Sequence, residues 1–281
     1  MRYLHTPVAS RPRHDAKLHN PMKIEENVSL SSLTTFRTGG PARFLVIVEK
    51  KEELPAAAAF AHEKKLRIVP IGHGSNLLAP DDGLAAVLLR YLPASVSEEP
   101  KDGNILLTAE GGAAWDGVVN HAVSRGLWGI ENLASIPGTA GAAVVQNIGA
   151  YGAVIGDTLL SVEAYDTETG SFRVFSNTEC ALGYRTSIFK MHPDRYIIVA
   201  VTLALSENGE PNLSYRDLTV YFEKKPIAPT LSRVRDAVAE IRKSKFPPLS
   251  EYGTAGSFFL NPIFTPTSVA AIRAKYPQMP V

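Results

Sequence analysis

Pro70-Ile71-Gly72-His73-Gly74-Ser75-Asn76-Leu77-Leu78 is the stretch on which the fold turns. It follows 67–71, a short β-rich run, and exchanges that run's apolar residues for two glycines, a serine and an asparagine. Upstream, 43–48 is also β-rich. Between the two lies 52–66, a helix whose Pro55 is tolerated in the first turn. Strand, helix and strand therefore lead into a glycine-rich loop. Without a Cβ, glycines let successive N–H groups converge on an anion, so such a loop holds a diphosphate without Lys or Arg. The spacing is neither the Gly-x-Gly-x-x-Gly of a dinucleotide fold nor a P-loop, because no Gly-Lys-Ser/Thr follows. Taken alone, the loop also reads as a tight turn that binds nothing.

Downstream, 84–89 and 105–109 read as strands, and 115–125 as a helix stopped by Gly126. Three more strands follow at 159–165, 172–175 and 196–205. Leu231, Val234, Val238 and Ile241 stripe a helix capped by Thr230, and 257–260 is a short strand. The class is α+β. At about 150 residues per domain, 281 residues make roughly two domains. The turn cluster Asn208-Gly209-Glu210-Pro211-Asn212 sets the boundary near 208. The expected division is a tail at 1–21, a first domain at 22–208 with lobes at about 22–100 and 101–208, and a second at 209–281. The tail holds Arg2, Arg11, Arg13 and Lys17 against Asp15 alone, without an apolar period. It is expected to be disordered, or to precede the true start at Met22.

Hydrophobic residues make up 45% and charged residues 20%, enough to bury a core. Twenty-nine basic against 28 acidic residues leave a net charge of +1, so nothing global favours nucleic acid or an anionic membrane. An anionic ligand must be held locally. The lone Cys180 closes no disulfide within the chain, fits a reducing compartment, and no Cys/His cluster has zinc spacing. The apolar run 196–205 is about half a membrane span.

Two further glycine-rich elements are Phe36-Arg37-Thr38-Gly39-Gly40-Pro41 and Ile136-Pro137-Gly138-Thr139-Ala140-Gly141, the latter leading to Gln146-Asn147-Ile148-Gly149-Ala150-Tyr151-Gly152. With Ser75, Asn76 and Asn147, two such loops point to a bound diphosphate. Arg185, among aromatic and apolar residues at 182–190, suits a bidentate grip on a carboxylate or a surface ion pair. Ser257, in Gly256-Ser257-Phe258-Phe259, is read as a hydroxyl in a dry surrounding. It is not a nucleophile elbow. A serine hydroxyl is a weak acid, but it can protonate a carbanion.

Thr35-Phe36 with Thr38-Gly39-Gly40, the Gly-x-Gly-Ser-Asn loop, Ile136-Pro137-Gly138, the 146–152 stretch, Gly183-Tyr184-Arg185 and Gly256-Ser257-Phe258-Phe259 occur in that order. Over about 27–281 the chain resembles the UDP-N-acetylenolpyruvoylglucosamine reductases, also called UDP-N-acetylmuramate dehydrogenases. The stretch 215–218 resembles the longer of their two subtypes. The resemblance implies an FAD-binding domain of the PCMH/vanillyl-alcohol-oxidase type in two α+β lobes, followed by a partial α+β substrate-binding domain. It implies non-covalent FAD, NADPH as hydride donor, and reduction of an enolpyruvyl UDP-sugar to UDP-N-acetylmuramate in peptidoglycan precursor synthesis. The compartment implied is the cytoplasm, with no metal, nucleic acid, membrane or obligate protein partner.

Residue by residue, Ser257 matches the proton donor and Arg185 the carboxylate-holding cation. The flavin would rest on Gly72, His73, Gly74, Ser75, Asn76 and Leu77, on Ile136, Pro137, Gly138, Thr139 and Gly141, and on Asn147, Gly149 and Tyr151. Tyr215, Lys245 and Asn261 match substrate contacts. Leu260 stands where the family usually has Lys. The family continues beyond 277 into a segment bearing a Glu with a role in protonation, so the chain is expected to stop within its second domain. Two readings stay beside this one: a flavin-binding protein without turnover, and an FAD-dependent oxidase of the same superfamily.

Overall fold

The computed structural model describes residues 22–257 and 260–278, so the tail at 1–21 lies outside the described residues. The first lobe holds β1 (Lys23–Ser29), β2 (Pro41–Val48), α1 (Leu54–Glu63), β3 (Ile68–Pro70) and β4 (Leu84–Tyr91). Its sheet runs β1-β2-β4-β3, with β1 antiparallel to β2 and both β2 and β3 parallel to β4. Parallel pairing needs a crossover, and α1 supplies it. Its Leu54, Ala57 and Ala61 pack on Phe44, Val46 and Val48 of β2. On the sheet's other face Leu30 and Leu33 pack with Leu45, Ile71 and Leu88. That contact anchors the backbone just ahead of Thr34 and Thr35.

The second lobe contains β5 (Val96–Lys101), β6 (Asn104–Glu110), α2 (Trp115–Ser124), α3 (Ala140–Val145), β7 (Gly149–Ala150), β8 (Ala153–Val154), β9 (Leu159–Asp166), β10 (Ser171–Ser176), α4 (Ile188–Met191) and β11 (Tyr196–Leu205). Its five-stranded sheet is antiparallel, in the order β10-β9-β11-β6-β5. Trp115, Val118, Val119, Leu133 and Val144 fill its core, and the Trp115 indole donates to the Leu133 carbonyl at 2.9 Å. Strand β11 explains its unbroken apolar run. Tyr196, Ile198, Val201 and Leu203 face this core, while Ile197 and Val199 face the first lobe. The mixture of one partly parallel and one antiparallel sheet is the α+β class that the resemblance implies.

Helices α5 (Arg216–Lys224), α6 (Leu231–Lys245) and α7 (Pro266–Lys275) follow. Leu218, Ala237 and Val238 join the second lobe's core. Thr230 occupies the N-cap of α6 with extended backbone, but its hydroxyl makes no cap bond. Thr265 does cap α7, accepting from the Ser268 N–H at 3.3 Å. The expected strand at 257–260 falls in part on Phe258 and Phe259, which lie outside the described residues; its two ends, Ser257 and Leu260, lie in no strand. The left-handed Gly256 (φ +74°) bends the backbone away from an extended path just before Ser257. No helix among the described residues is long and apolar enough to cross a membrane.

Candidate active site

The first glycine loop leaves the carboxyl end of β3, a parallel strand, where open sheets commonly bind ligands. Gly74 is left-handed (φ +64°), and a Cβ there would lie 2.1 Å from the Leu33 carbonyl oxygen. The Gly74 carbonyl accepts from the Thr35 N–H at 3.1 Å. The second loop, 136–141, comes from the other lobe. The Ser75 hydroxyl donates to the Pro137 carbonyl at 3.0 Å. A Cβ on Gly72 would stand 2.9 Å from the Thr139 hydroxyl, and one on Gly138 would stand 3.4 Å from the Ser75 hydroxyl. The two loops are therefore in contact, and their glycines permit the approach. Thr139 caps α3 through the Ala142 N–H at 3.3 Å.

The amides decide what this junction can hold. Among the described residues, the N–H groups from Gly72 to Asn76, and those of Gly138 and Thr139, find no hydrogen-bond acceptor within the chain. Unpaired amide dipoles on two touching loops, where a Cβ would intrude, suit a diphosphate. The residues present thus fit the diphosphate of a dinucleotide cofactor such as FAD. His73 lies at the edge of this loop. Partial burial and then the nearby Arg90 charge lower its pKa. An open cleft of about 490 Å³ adjoins the loop, lined by Thr34, Thr35, Arg37, His73, Arg90 and Leu249 among others.

Arg185 sits half-buried on the turn between Gly183 and Thr186. Its Nη2 donates to the Gly149 carbonyl at 2.9 Å and its Nη1 to that of Asn147 at 3.4 Å. Among the described residues no carboxylate forms an ion pair with it, so the surface ion pair left open by the sequence is not what the fold builds. Its guanidinium keeps further N–H donors for an anion. Several non-glycine residues here are left-handed: Ser135 (+57°), Asn147 (+44°), Tyr151 (+48°) and Arg185 (+56°). Strain of this kind gathers at sites whose geometry the surroundings impose.

Ser257 is exposed, which corrects the expectation of a dry surrounding. Its segment docks on the first lobe. The Thr254 N–H donates to the Thr35 carbonyl at 3.0 Å, and the Thr35 hydroxyl donates to the Thr254 carbonyl at 2.6 Å. Arg37 donates to the Leu249 and Ser250 carbonyls. A Cβ on Gly256 would stand 4.0 Å from the Ser75 carbonyl, so the hydroxyl-bearing segment reaches the first phosphate loop. The Thr35–Arg37 stretch thereby acquires a docking role. No hydrogen bond joins Ser257 to Arg185 among the described residues.

Tyr215 is the N-cap of α5, and its ring packs edge-on against Tyr151 with centroids 5.3 Å apart. Lys245 ends α6 and pairs with Asp217, which raises its pKa. The cation at this end that sequence reasoning missed is Arg242, one turn before Lys245. Its Nε donates to the Ser135 carbonyl at 3.1 Å. Burial lowers its pKa, and Tyr151 and Asp116 oppose that shift. The 242/245 spacing was a readable signal, since residues three apart share a helix face. Asn261 is exposed on the stretch before α7 and makes no hydrogen bond among the described residues. Those residues contain no cluster of three or more metal-ligating side chains.

The family described as FAD binding domain matches residues 42–176. The UDP-N-acetylenolpyruvoylglucosamine reductase of Pseudomonas putida is 38% identical over 255 residues, covering 90% of this chain and 75% of the relative. That of Neisseria meningitidis is 36% identical over 261 residues, covering 92% and 75%. The crystal structure of the Thermus caldophilus reductase aligns with a TM-score of 0.64 at 28% identity, over 90% of this chain and 80% of that one. A solvent-stable cholesterol oxidase shares the fold at 19% identity and a TM-score of 0.52, over 71% of this chain.

Proposed function

Because this chain belongs to the UDP-N-acetylenolpyruvoylglucosamine reductase family, we propose that it reduces the enolpyruvyl ether of a UDP-sugar to the lactyl ether of UDP-N-acetylmuramate, a precursor of peptidoglycan. The observation that carries this reading is the junction of two glycine loops with unpaired amides, together with an arginine that has no carboxylate partner among the described residues. FAD held at that junction would supply the redox chemistry, with NADPH as the hydride donor and the methylene carbon of the enolpyruvyl group as the acceptor. The amides of Gly72 to Asn76, with those of Gly138 and Thr139, hold its diphosphate. The cofactor is held without a covalent bond, and His73 bounds the site.

Hydride addition at the methylene carbon leaves carbanion character on its neighbour, delocalised into the carboxylate. Arg185 binds that carboxylate, and its charge is worth more as negative charge grows. Two backbone carbonyls fix the plane of its guanidinium in advance. Ser257 gives its proton to the carbanionic carbon and regains one from solvent, to which it is open. One hydride and one proton account for the two hydrogens gained. Tyr215, Lys245 and Asn261 contact the UDP-sugar, with Lys245 exchanging its Asp217 partner for the substrate diphosphate. The reading goes with the cytoplasm.

The test is turnover of the purified yellow protein with NADPH and the enolpyruvyl sugar nucleotide. Ser257→Ala keeps flavin reduction by NADPH and loses product formation; normal product formation by that variant would remove Ser257 from its role. Arg185→Lys lowers kcat/KM for the sugar nucleotide about a hundredfold, because a point charge does not replace a planar fork. Turnover with oxygen in place of the sugar nucleotide would favour an oxidase instead.

A further inference from the structure

The side chain of Asn147 is spent on the protein. Asn147 is buried and left-handed, in the stretch that leads from α3 to β7. Its Nδ2 donates to the Gly183 carbonyl at 3.0 Å, and its Oδ1 accepts from the Gly156 N–H at 3.1 Å. Gly183 and Thr186 bond each other's backbone across the turn that carries Arg185 at its tip. One amide thus ties that turn to the 155–157 bend. A second tie lies at the turn's far end, where the fully buried Ser187 donates to the Val145 carbonyl at 2.8 Å. The guanidinium then reaches back to the carbonyls of Asn147 and Gly149. A Cβ on Gly149 would lie 3.5 Å from Arg185 Nη1 and 2.7 Å from Val154, so the strand is kept bare where the cation crosses it.

We propose that Asn147 is a positioning residue for Arg185: it sets the guanidinium through the Gly183–Thr186 turn instead of contacting the cofactor. The inference rests on the reading of Arg185 as the group that holds the substrate carboxylate. It explains why a left-handed asparagine stands where glycine would be less strained. Glycine would meet the backbone requirement and lose both side-chain hydrogen bonds.

The experiment uses holoenzyme of Asn147→Gly, Asn147→Asp and Arg185→Lys, alone and combined. Glycine keeps the backbone conformation and removes the side chain. Aspartate keeps an acceptor for the Gly156 N–H and turns an oxygen toward the Gly183 carbonyl, so at least one variant reports if the other fails to fold. Flavin content and the rate of flavin reduction by NADPH stay near the parent values, while the Asn147 variants melt earlier because buried backbone groups lose their partners. The rate at which the enolpyruvyl sugar nucleotide reoxidises the reduced enzyme falls between tenfold and a hundredfold, on the order expected when a group is displaced by about 1 Å. In the Arg185→Lys background, Asn147→Gly costs less than about twofold more, because the residue it sets is already altered.

Flavin loss from folded Asn147 variants overturns the inference, since it makes Asn147 a cofactor contact. So does full additivity with Arg185→Lys. A slow Arg185→Lys beside a normal Asn147→Gly overturns the inference alone. A normal Arg185→Lys overturns the reading of Arg185, and the inference with it.

Discussion

A methyl group at Gly74 would collide with the Leu33 carbonyl oxygen and would also have to accept a left-handed backbone. Gly74→Ala is therefore expected to cost about 2 kcal/mol or more and to reduce flavin retained through purification. Thermal unfolding and the flavin-to-protein absorbance ratio check both; unchanged values would mean that the loop tolerates a side chain. This loop was legible in the sequence because what glycine supplies is local: a backbone angle and a missing Cβ. The setting of Ser257 was not legible. Two neighbouring phenylalanines suggested dryness, but exposure depends on what packs over a segment, and this one is held through Thr254 to a loop near the start of the chain. The pairing of Lys245 with a carboxylate was hidden for a similar reason. Asp217, which takes Lys245, stands 28 positions away.

At the scale of elements, the strands with unbroken apolar runs were read well and the polar ones were missed. β1 and β5 lie at sheet edges, where one side of the ladder is open and the face pattern is weak, so Lys23–Ser29 and Val96–Lys101 carry little apolar signal. β11 was legible because burial on both faces makes a strand apolar throughout. The turn Glu131–Leu133 offers a test of burial. The Glu131 carboxylate is buried and accepts from the Gly129 N–H at 2.7 Å. Burial raises its pKa above the ordinary 4.5, against backbone hydrogen bonds that lower it. The native state then binds the proton more tightly than the unfolded chain. That contribution is complete below about pH 4.5 and is lost as pH climbs through the raised value. Glu131→Gln removes the dependence. Between pH 4.5 and neutrality the parent's melting temperature declines relative to the variant's, and parallel curves would count against this account.

For the molecule as a whole, near-zero net charge goes with a site built from local devices: bare amides, one arginine held by carbonyls, and a lysine lent to an aspartate. The seam between the lobes is apolar. Ile197 and Val199 of β11 meet Tyr91 and the first sheet there, while the Lys51–Glu163 pair at 3.1 Å is partly exposed. Val199→Ala is expected to cost about 2 kcal/mol and to loosen flavin retention, because the diphosphate loops come from opposite sides of this seam. Lys51→Ala should cost less than about 0.5 kcal/mol. Denaturant unfolding of the two variants separates the effects.

The Thr35–Thr254 bond joins residues 219 positions apart. A ribosome releases the chain from its amino end, and domains fold largely in that order. Both glycine loops and the Arg185 turn have emerged well before residue 254 does. The segment that carries Ser257 is therefore made after both glycine loops and the Arg185 turn, and it docks onto ground already built. A nascent chain can take up a flavin at the two loops before the segment of Ser257 has been made.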